Sequence, residues 1–399
     1  MIRIHSLPFA VLGLIFLIGC SPSHPLDAVF ESASPEFHEI LNDPKHEVQI
    51  RYTQITRDSL GLPLFNTTSY NENSAAYFYP ASTAKLPIAA LALQRINELK
   101  AQGVAIDLHT PFKIYTDRFN TPIALQDSTK ADNHLTVAHL IKKIFLVSDN
   151  DAYNYLFDFL GKDYINASLK EKGLNHTDIQ HKFLFGADNT HTWDYVFLKN
   201  GDTVYKQPSI TSELEVLNTA TIGVIKGVGF QSNDSIVKEP FDFRLKNRIA
   251  LEDLEGIMKR LVFPEVFSES QRFNLTEEDY VFMKYWMSRN THESDEPNYN
   301  NDEEYYDSYG KFFIYGDRKG EMTDAIRIHN KVGYAYGTLT DVAYITDRES
   351  GVEFLLSATI LVNENQIFND NQYEYEEKGI PFLAELGRLA LRAAQQKKP

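Results

Sequence analysis

The sequence predicts an α+β fold with a sandwich-like arrangement, in which strands from both chain ends form one antiparallel sheet beside a helical middle. Apolar residues alternate with polar ones near residues 48–52 and again over 327–361, as half-buried strands require. Between these regions the apolar residues recur at spacings of three and four, which is typical of helices. The 43% apolar content of the 399 residues is enough for a sizeable core. We therefore expect one enlarged domain over residues 46–396.

The first twenty residues are interpreted as a bacterial signal peptide. Arg3 and His5 precede an apolar run over residues 7–18 that is too short to span a bilayer comfortably. The run ends in small residues before Cys20 and resembles the lipobox of bacterial lipoproteins. Cys20 is therefore expected to carry lipid and to anchor the protein to a membrane of the cell envelope, as a periplasmic or outer-membrane lipoprotein. Residues 21–45, rich in Ser, Pro, His and acids, are predicted to be a tether.

Charge and cysteine content exclude several classes of function. The net charge of −16, with no visible basic patch, repels phosphates and excludes a nucleic-acid-binding role. Cys20 is the only cysteine, so lipidation leaves the mature chain without a thiol. Disulfides, cysteine nucleophiles and thiolate metal sites are excluded on that ground.

The first elements of the domain are a strand hairpin and a buried helix. A break at residues 61–63 separates the alternating segment near residue 50 from a second extended piece, which predicts the hairpin. The apolar, Ala-rich stretch that continues to Leu99 predicts the helix. We expect the helix to begin near Ser82 or Thr83, because Pro87 is then in its first turn or so.

Periodicity assigns most of the remaining chain. Further helices are predicted at residues 137–145, 151–160, 164–172, 250–261 and 276–287. The irregular segment over about 183–246 is interpreted as an insertion of loops and short strands, and residues 293–309 as an acidic, Tyr-rich loop. Three strands and a terminal helix complete the chain, at residues 327–336, 340–346, 353–361 and 381–394.

A serine and a lysine at the start of the buried helix form the first chemical signature, Ser82-Thr83-Ala84-Lys85. A serine in the first helical turn lies beside free N–H groups, and a lysine three residues later returns to the same face. The Lys85 amine is expected to reach the Ser82 hydroxyl. It can act as the base for a serine nucleophile where burial or nearby positive charge lowers its pKa.

Two further signatures follow in the chain, Ser148-Asp149-Asn150 and Lys331-Val332-Gly333. Ser148 offers a hydroxyl for proton relay, and Asn150 offers an amide that can hold a substrate. Lys331 lies on a predicted strand, where Gly333 allows the backbone to approach a ligand. The backbone N–H groups of Ser82 and Tyr334 are candidate oxyanion donors.

The sequence alone also allows a purely structural role for each of these residues. Ser82 can be a helix cap with a solvated lysine, Ser148 and Asn150 can be capping residues, and Lys331 can be an exposed strand lysine. Asp149 is interpreted as structural. A second Ser-x-x-Lys match begins at Ser235, but no apolar helix follows it, so we interpret it as a solvated loop.

The three signatures, in this order, resemble the Ser-x-x-Lys, Ser-Asp-Asn and Lys-Thr-Gly set of class A β-lactamases and penicillin-binding proteins. The likeness covers about residues 46 to 395 and implies a β-lactamase/transpeptidase-like fold. It implies that Ser82 is acylated, Lys85 is its base, Ser148 relays the proton, Asn150 clamps the substrate amide, and Lys331 anchors the substrate carboxylate. No metal or organic cofactor is implied, and we expect a monomer.

Two positions depart from the family pattern. Val332 replaces the usual hydroxyl residue of the third motif, which removes one hydrogen bond to the substrate carboxylate. The glutamate that activates the deacylating water in class A enzymes is not found; its place falls near Phe183, and the nearest acids are Asp178 and Asp188. The sequence therefore favours acylation over rapid hydrolysis.

Three functions compete at this point. The leading hypothesis is a β-lactamase-like serine hydrolase that acts through an acyl-serine on β-lactams or related amides. The second is a D-alanyl-D-alanine peptidase acting on peptidoglycan-derived amides, or an esterase. The third is an envelope-binding lipoprotein that keeps the fold without efficient catalysis.

Overall fold

The computed structural model describes residues 26–215, 218, 220–299, 303–320 and 322–396. Cys20 and the predicted signal peptide lie outside these residues. The helices are α1 Asp27–Phe30, α2 Pro35–Asn42, α3 Lys85–Ala101, α4 Val137–Val147, α5 Asn150–Leu160, α6 Lys162–Glu171, α7 Leu251–Val262, α8 Glu277–Ser288, α9 Phe312–Tyr315 and α10 Ile380–Gln396. In the described part of the chain, no helix is both long and apolar enough to cross a membrane.

The strands form one large sheet and several small ones. Their bounds are β1 Gln49–Arg57, β2 Pro63–Tyr70, β3 Phe112–Thr116, β4 Thr121–Ala124, β5 Thr177–Asp178, β6 Asp194–Lys199, β7 Asp202–Gln207, β8 Ile225–Lys226, β9 Gly229–Ser232, β10 Ser235–Val237, β11 Phe241–Asp242, β12 Arg248–Ile249, β13 Ile326–Ala335, β14 Thr338–Asp347, β15 Val352–Leu361 and β16 Ile367–Phe368.

The main sheet joins the two ends of the chain, as the alternation predicted. Its strand order is β13-β14-β15-β1-β2, and every neighbouring pair is antiparallel. The apolar face of α10 packs on one side of this sheet, and α7 packs on the other. The predicted fold class is therefore confirmed, and β13 lies at an edge of the sheet with one side open.

The helical middle forms the second half of the molecule. Its core includes the apolar residues of α3, which are buried on all sides, together with the inner faces of α4 and α5. The periodicity predicted a helical middle, but this part of the molecule also contains strands. The strands β3 and β4 pair with β6 and β7 of the insertion to form a four-stranded antiparallel sheet. Short strands with few alternating positions gave too weak a pattern to be recognised.

The N-terminal boundary of the domain also differs from the prediction. Residues 26–45 do not form an extended tether, because α1 and α2 pack against α10 and leave Leu26 and Phe37 almost fully buried. Ser34 caps α2 and bonds Glu385 of α10 through both its backbone N–H and its hydroxyl. The folded body therefore begins by Leu26, so any tether after Cys20 is shorter than residues 21–45.

Candidate active site

A tight turn presents Ser82 at the start of α3. Residues Ala81–Ala84 form a 3-10 turn, and the α-helix proper begins at Lys85, two or three residues later than predicted. Ala81 takes a left-handed backbone conformation with φ of 45°, a strained state for a residue with a Cβ. Ser82 remains partly exposed while Lys85 is fully buried. The turn therefore directs a hydroxyl outward and an amine inward.

The link between α4 and α5 carries the second signature. Ser148 ends α4 in a left-handed conformation with φ of 56°. Asp149 caps α5 by accepting a hydrogen bond from the backbone N–H of Ala152 at 2.7 Å, and it pairs with Lys143 at 3.1 Å. Asp149 thus fixes the turn, while Ser148 and Asn150 on either side of it face Lys85.

The buried Lys85 amine contacts both of these residues. Its Nζ donates to Asn150 Oδ1 at 2.7 Å, to Ser148 Oγ at 3.2 Å, and to the Ser148 carbonyl oxygen. Among the described residues, no hydrogen bond joins this amine to the Ser82 hydroxyl, contrary to the expected direct contact. The Lys85 amine already donates to three acceptors around the α4–α5 turn. The one hydroxyl among these acceptors is that of Ser148.

A second amine reaches the same hydroxyl from the edge strand. Lys331 is buried on β13, and its Nζ donates to Ser148 Oγ at 2.9 Å and to the Val332 carbonyl oxygen at 2.8 Å. The reading of Lys331 as an exposed strand lysine is therefore wrong. Ser148 connects two lysines that are far apart in the sequence, and this connection joins all three signatures in one place.

Burial shifts the pKa of both lysines. Desolvation lowers the pKa of Lys85 well below its usual range, and the charge of Lys331 lowers it further, while Asp149 opposes the shift. Desolvation also lowers the pKa of Lys331 to about 7, with Asp341 opposing and Lys311 reinforcing the change. An amine with a depressed pKa can hold its lone pair at neutral pH, which is the property a general base needs.

The strand glycine brings β13 against the serine turn. A Cβ at Gly333 would lie 2.6 Å from the Pro80 carbonyl oxygen and 2.7 Å from the Ser82 backbone nitrogen. Only a residue without a side chain allows this approach. The next residue, Tyr334, is half exposed at the rim. The two candidate oxyanion donors, Ser82 and Tyr334, therefore lie on backbone segments that touch.

A cavity of about 270 Å³ opens over these groups. Ser82, Ser148, Gly333 and Tyr334 line it. The opposite wall comes from the acidic, Tyr-rich loop and its neighbours, which the sequence did not assign to the site: Glu303, Glu304, Tyr306, Tyr309, Lys319 and Glu376. The unusual composition of residues 293–309 was a signal of function, but it carried no indication of which surface the loop would cover.

A buried polar network supports the edge strand from behind and was also missed. Lys311 Nζ donates to Asn330 Oδ1 at 2.8 Å and to the carbonyl oxygens of Met287 and Ile328. Asn330 in turn donates to Asp341 Oδ1 at 2.9 Å. Burial lowers the pKa of Lys311 to about 7 and raises that of Asp341 to about 6. Lys311 and Asn330 carried no motif, so only the folded chain reveals their connection.

The position expected for a deacylating glutamate holds an aromatic ring. The Phe183 backbone N–H donates to Asn154 Oδ1 at 2.7 Å, and the Phe183 ring centroid lies 5.3 Å from Lys85 Nζ. The two nearby acids are engaged elsewhere. Asp178 pairs with Arg248 on the short β5–β12 ladder, and Asp188 pairs with the exposed His191. Neither acid forms a hydrogen bond with Lys85 or Ser148 in the described residues.

The second Ser-x-x-Lys match is not part of this site. Ser235 begins the exposed strand β10, in a small sheet with β9 and β16. It lies outside the cavity that contains Ser82. Ser235 is exposed, as predicted, but it lies in a strand rather than in a loop, while the choice of Ser82 as the nucleophile stays a prediction.

Two amines that meet at one hydroxyl, beside a serine turn and an open strand edge, define the class of penicillin-recognising serine enzymes. The chain belongs to the beta-lactamase enzyme family, whose family model matches residues 34–272. It is a serine hydrolase with the β-lactamase-like fold of that family. Among curated protein sequences, none matches this chain.

Solved structures show the same fold at low sequence identity. The β-lactamase from Streptomyces albus G is 14% identical, with 92% of this chain and 99% of that one covered and a TM-score of 0.51. A β-lactamase from Burkholderia phymatum is also 14% identical, with the same coverage and a TM-score of 0.50. A protein called PBP-A is 13% identical over 94% of this chain and 98% of its own, with a TM-score of 0.50.

Proposed function

We propose that Ser82 is acylated by β-lactams and related amides and that the acyl group is released slowly. The single observation that carries this proposal is the junction at Ser148, which lines the same cavity as Ser82 and whose hydroxyl contacts the buried Lys85 and Lys331 amines. Such a junction provides a path for one proton from the nucleophile to a leaving nitrogen.

The acylation step balances with these groups alone. Ser82 Oγ forms a bond to the substrate carbonyl carbon, and the amide C–N bond breaks. The Ser82 proton passes to neutral Lys85, and Lys85 returns it through the Ser148 hydroxyl to the departing nitrogen, so both residues regain their starting protonation states. The backbone N–H groups of Ser82 and Tyr334 stabilise the oxyanion, where one such donor is typically worth ~10²- to 10³-fold in rate.

Substrate binding is assigned to the remaining residues of the signatures. Protonated Lys331 attracts the substrate carboxylate, without help from a hydroxyl at Val332. Asn150 uses its Oδ1 on Lys85, which leaves its NH₂ group to donate to a substrate carbonyl. Release of the acyl group needs an activated water, and Phe183 supplies no base at the position beside Lys85.

A peptidase acting on peptidoglycan-derived amides is the second candidate. The same Phe183 favours it, because a penicillin-recognising peptidase does not depend on a glutamate at that position. The edge position of β13 also favours it, since an extended peptide can add to an edge strand by main-chain hydrogen bonds, and beyond Val332 the strand continues along the Ser82 cavity at Gly333 and Tyr334.

Attachment to the cell envelope through Cys20 belongs to this proposal. Five residues separate Cys20 from Leu26, the first described residue, and the chain between the two reaches at most about 20 Å. A lipid on Cys20 would therefore hold the folded body close to the membrane surface. Replacing Cys20 by Ser should move the protein from the membrane fraction to the soluble fraction, and an unchanged distribution would refute lipid anchoring at this residue.

One experiment tests the acylation proposal. The chain from Ser21 onward is incubated with a chromogenic cephalosporin and with a labelled penicillin, and colour and intact mass are followed together. We expect a single persistent adduct and little sustained colour. The adduct should be lost in Ser82→Ala and kept in Ser235→Ala, which removes the serine of the second motif copy as a matched control.

The alternative outcomes are distinct. Sustained colour would show rapid turnover and contradict slow release. Release of D-alanine from a peptidoglycan peptide by the same serine would establish the peptidase. An adduct that survives Ser82→Ala, or no adduct and no peptide cleavage at all, would refute the assignment of Ser82.

A further inference from the structure

A second groove adjoins the Ser82 cavity and shares Tyr334 with it. This tyrosine groove has a volume of about 410 Å³ and is lined chiefly by five tyrosines: Tyr79, Tyr334, Tyr336, Tyr373 and Tyr375. Tyr334 is 51% exposed and lines both cavities. A ligand in the groove would therefore lie within reach of a substrate bound at Ser82.

Among the residues that the structure describes, no charged side chain lines the tyrosine groove. Its remaining members are Ala335, Asn369 and Asn371. The part of the Ser82 cavity formed by described residues, by contrast, is lined by three carboxylates and one lysine. In a chain with a net charge of −16, an uncharged groove beside a charged cavity selects for a neutral ligand.

The aromatic rings of the groove are held in place by their own hydroxyls. The Asn369 backbone N–H donates to Tyr373 Oη at 2.7 Å, and the Gly337 backbone N–H donates to Tyr375 Oη at 2.8 Å. Tyr375 contacts both Tyr334 and Tyr373, with ring centroids 5.2 and 5.3 Å apart. Rings fixed in this way offer apolar faces at little entropic cost when a ligand binds.

Backbone strain at one tyrosine points to the same surface. Tyr336 has φ of 52° in the turn between β13 and β14, a position where Gly, Asn or Asp is usual. Its ring packs edge-on against Tyr79, with centroids 5.1 Å apart. The same ring packs against Phe241 and Phe243, so the strained turn holds the Tyr336 ring firmly between a buried aromatic cluster and the groove.

Two side-chain amides give the groove its hydrogen-bonding groups. Asn369 donates through Nδ2 to the Gln231 carbonyl oxygen at 2.9 Å, which orients its Oδ1 as an acceptor. The Asn371 side chain is exposed and forms no hydrogen bond within the described residues. Aromatic faces beside free amide groups match a ligand that has apolar C–H faces and neutral hydrogen-bonding groups.

We propose that the tyrosine groove is a binding subsite for a neutral pyranose sugar. The C–H face of the sugar ring packs on Tyr373 and Tyr375, and Asn369 and Asn371 bond its hydroxyl or acetamido groups. The position of Tyr334 implies a sugar joined to the amide that acylates Ser82; this link rests on the proposed function, whereas sugar binding itself does not.

The test is a calorimetric titration of the chain from Ser21 onward with chitotetraose, a neutral oligosaccharide. We expect saturable binding, and none with tetragalacturonate, which carries carboxylates. Tyr373→Ala should weaken binding by about 3- to 10-fold through loss of one aromatic face. Tyr373→Phe keeps the ring and should retain more affinity than Tyr373→Ala. Asn371→Gly, which tolerates the positive φ, should weaken binding by a similar factor.

A matched control and a catalytic variant complete the design. Tyr285→Ala removes a half-exposed tyrosine on α8, outside the groove, and should leave the affinity unchanged. Ser82→Ala cannot be acylated and should bind the sugar with the wild-type affinity, so a failure of the acylation proposal remains distinguishable. Thermal unfolding midpoints verify that each variant is folded. Absence of chitotetraose binding, or equal losses in Tyr373→Ala and Tyr285→Ala, would overturn the inference.

Discussion

Replacing Phe183 by Glu should convert slow release of the acyl group into turnover. Phe183 is only partly buried, and its ring lies beside Lys85, so a carboxylate can occupy this position with access to water. From there it can remove a proton from a water that approaches the Ser82 ester. The wild-type ring offers no such base.

The substitution should have opposite effects on the rates of deacylation and acylation. A positioned general base typically contributes ~10²- to 10⁴-fold, which is the expected gain in the deacylation rate. At the 5.3 Å that separates Lys85 Nζ from the ring centroid, a carboxylate would stabilise protonated Lys85 by about 3 kcal/mol at an effective dielectric constant of ~20. The pKa of Lys85 should therefore rise, and acylation should become slower while release becomes faster.

The assay measures the two steps separately. Stopped-flow fluorescence with a labelled penicillin gives the acylation rate, and intact mass against time gives the lifetime of the adduct. Phe183→Gln is the matched control, because it has the shape of glutamate without the charge. An adduct that persists equally in Phe183→Glu and Phe183→Gln would refute the view that the missing carboxylate limits release.

Three further predictions concern β13 and its support. Gly333→Ala should slow acylation by about 100-fold, because the new Cβ forces the strand away from the Ser82 turn; an unchanged stopped-flow rate would contradict the oxyanion geometry. The acylation rate should fall as pH rises past about 7, where Lys331 loses the charge that holds the substrate carboxylate. Lys331→Arg should not show this fall, and identical pH profiles would exclude Lys331 as its source. Lys311→Met should lower the free energy of unfolding by about 1–3 kcal/mol in urea titrations, since the Met287 and Ile328 carbonyls lose a buried donor; no loss would show that water replaces the amine.

Local patterns were sufficient for the parts of the site that lie in regular elements. A serine at a helix start and a lysine on an alternating strand each had a periodic neighbourhood, so Ser82, Lys85 and Lys331 could be selected before any contact was known. The same reasoning rejected Ser235, which has no helix after it. The class of fold followed from alternation at both ends of the chain, which is a property of the whole sequence.

Features that depend on contacts between distant segments could not be predicted. Lys85 bonds the α4–α5 turn in place of Ser82, and this preference depends on which acceptors the folded chain brings to the amine. The four-stranded sheet of the middle pairs β3 with β6, and short strands have too few positions for a period to emerge. The boundary at Leu26 was missed because a polar composition hid the few apolar residues that bury α1 and α2.

The pairing of β1 with β15 has a consequence for the order in which the molecule can fold. Gln49 lies opposite Thr359, so the central contact of the main sheet closes a loop of about 300 residues. The N-terminal helices likewise can pack only after α10 is present, and α10 follows every other described element in the chain. The core cluster that these elements share therefore cannot close until β15 and α10 have been synthesised. Folding should be slow, and the newly made chain should depend on chaperones to avoid aggregation during that interval.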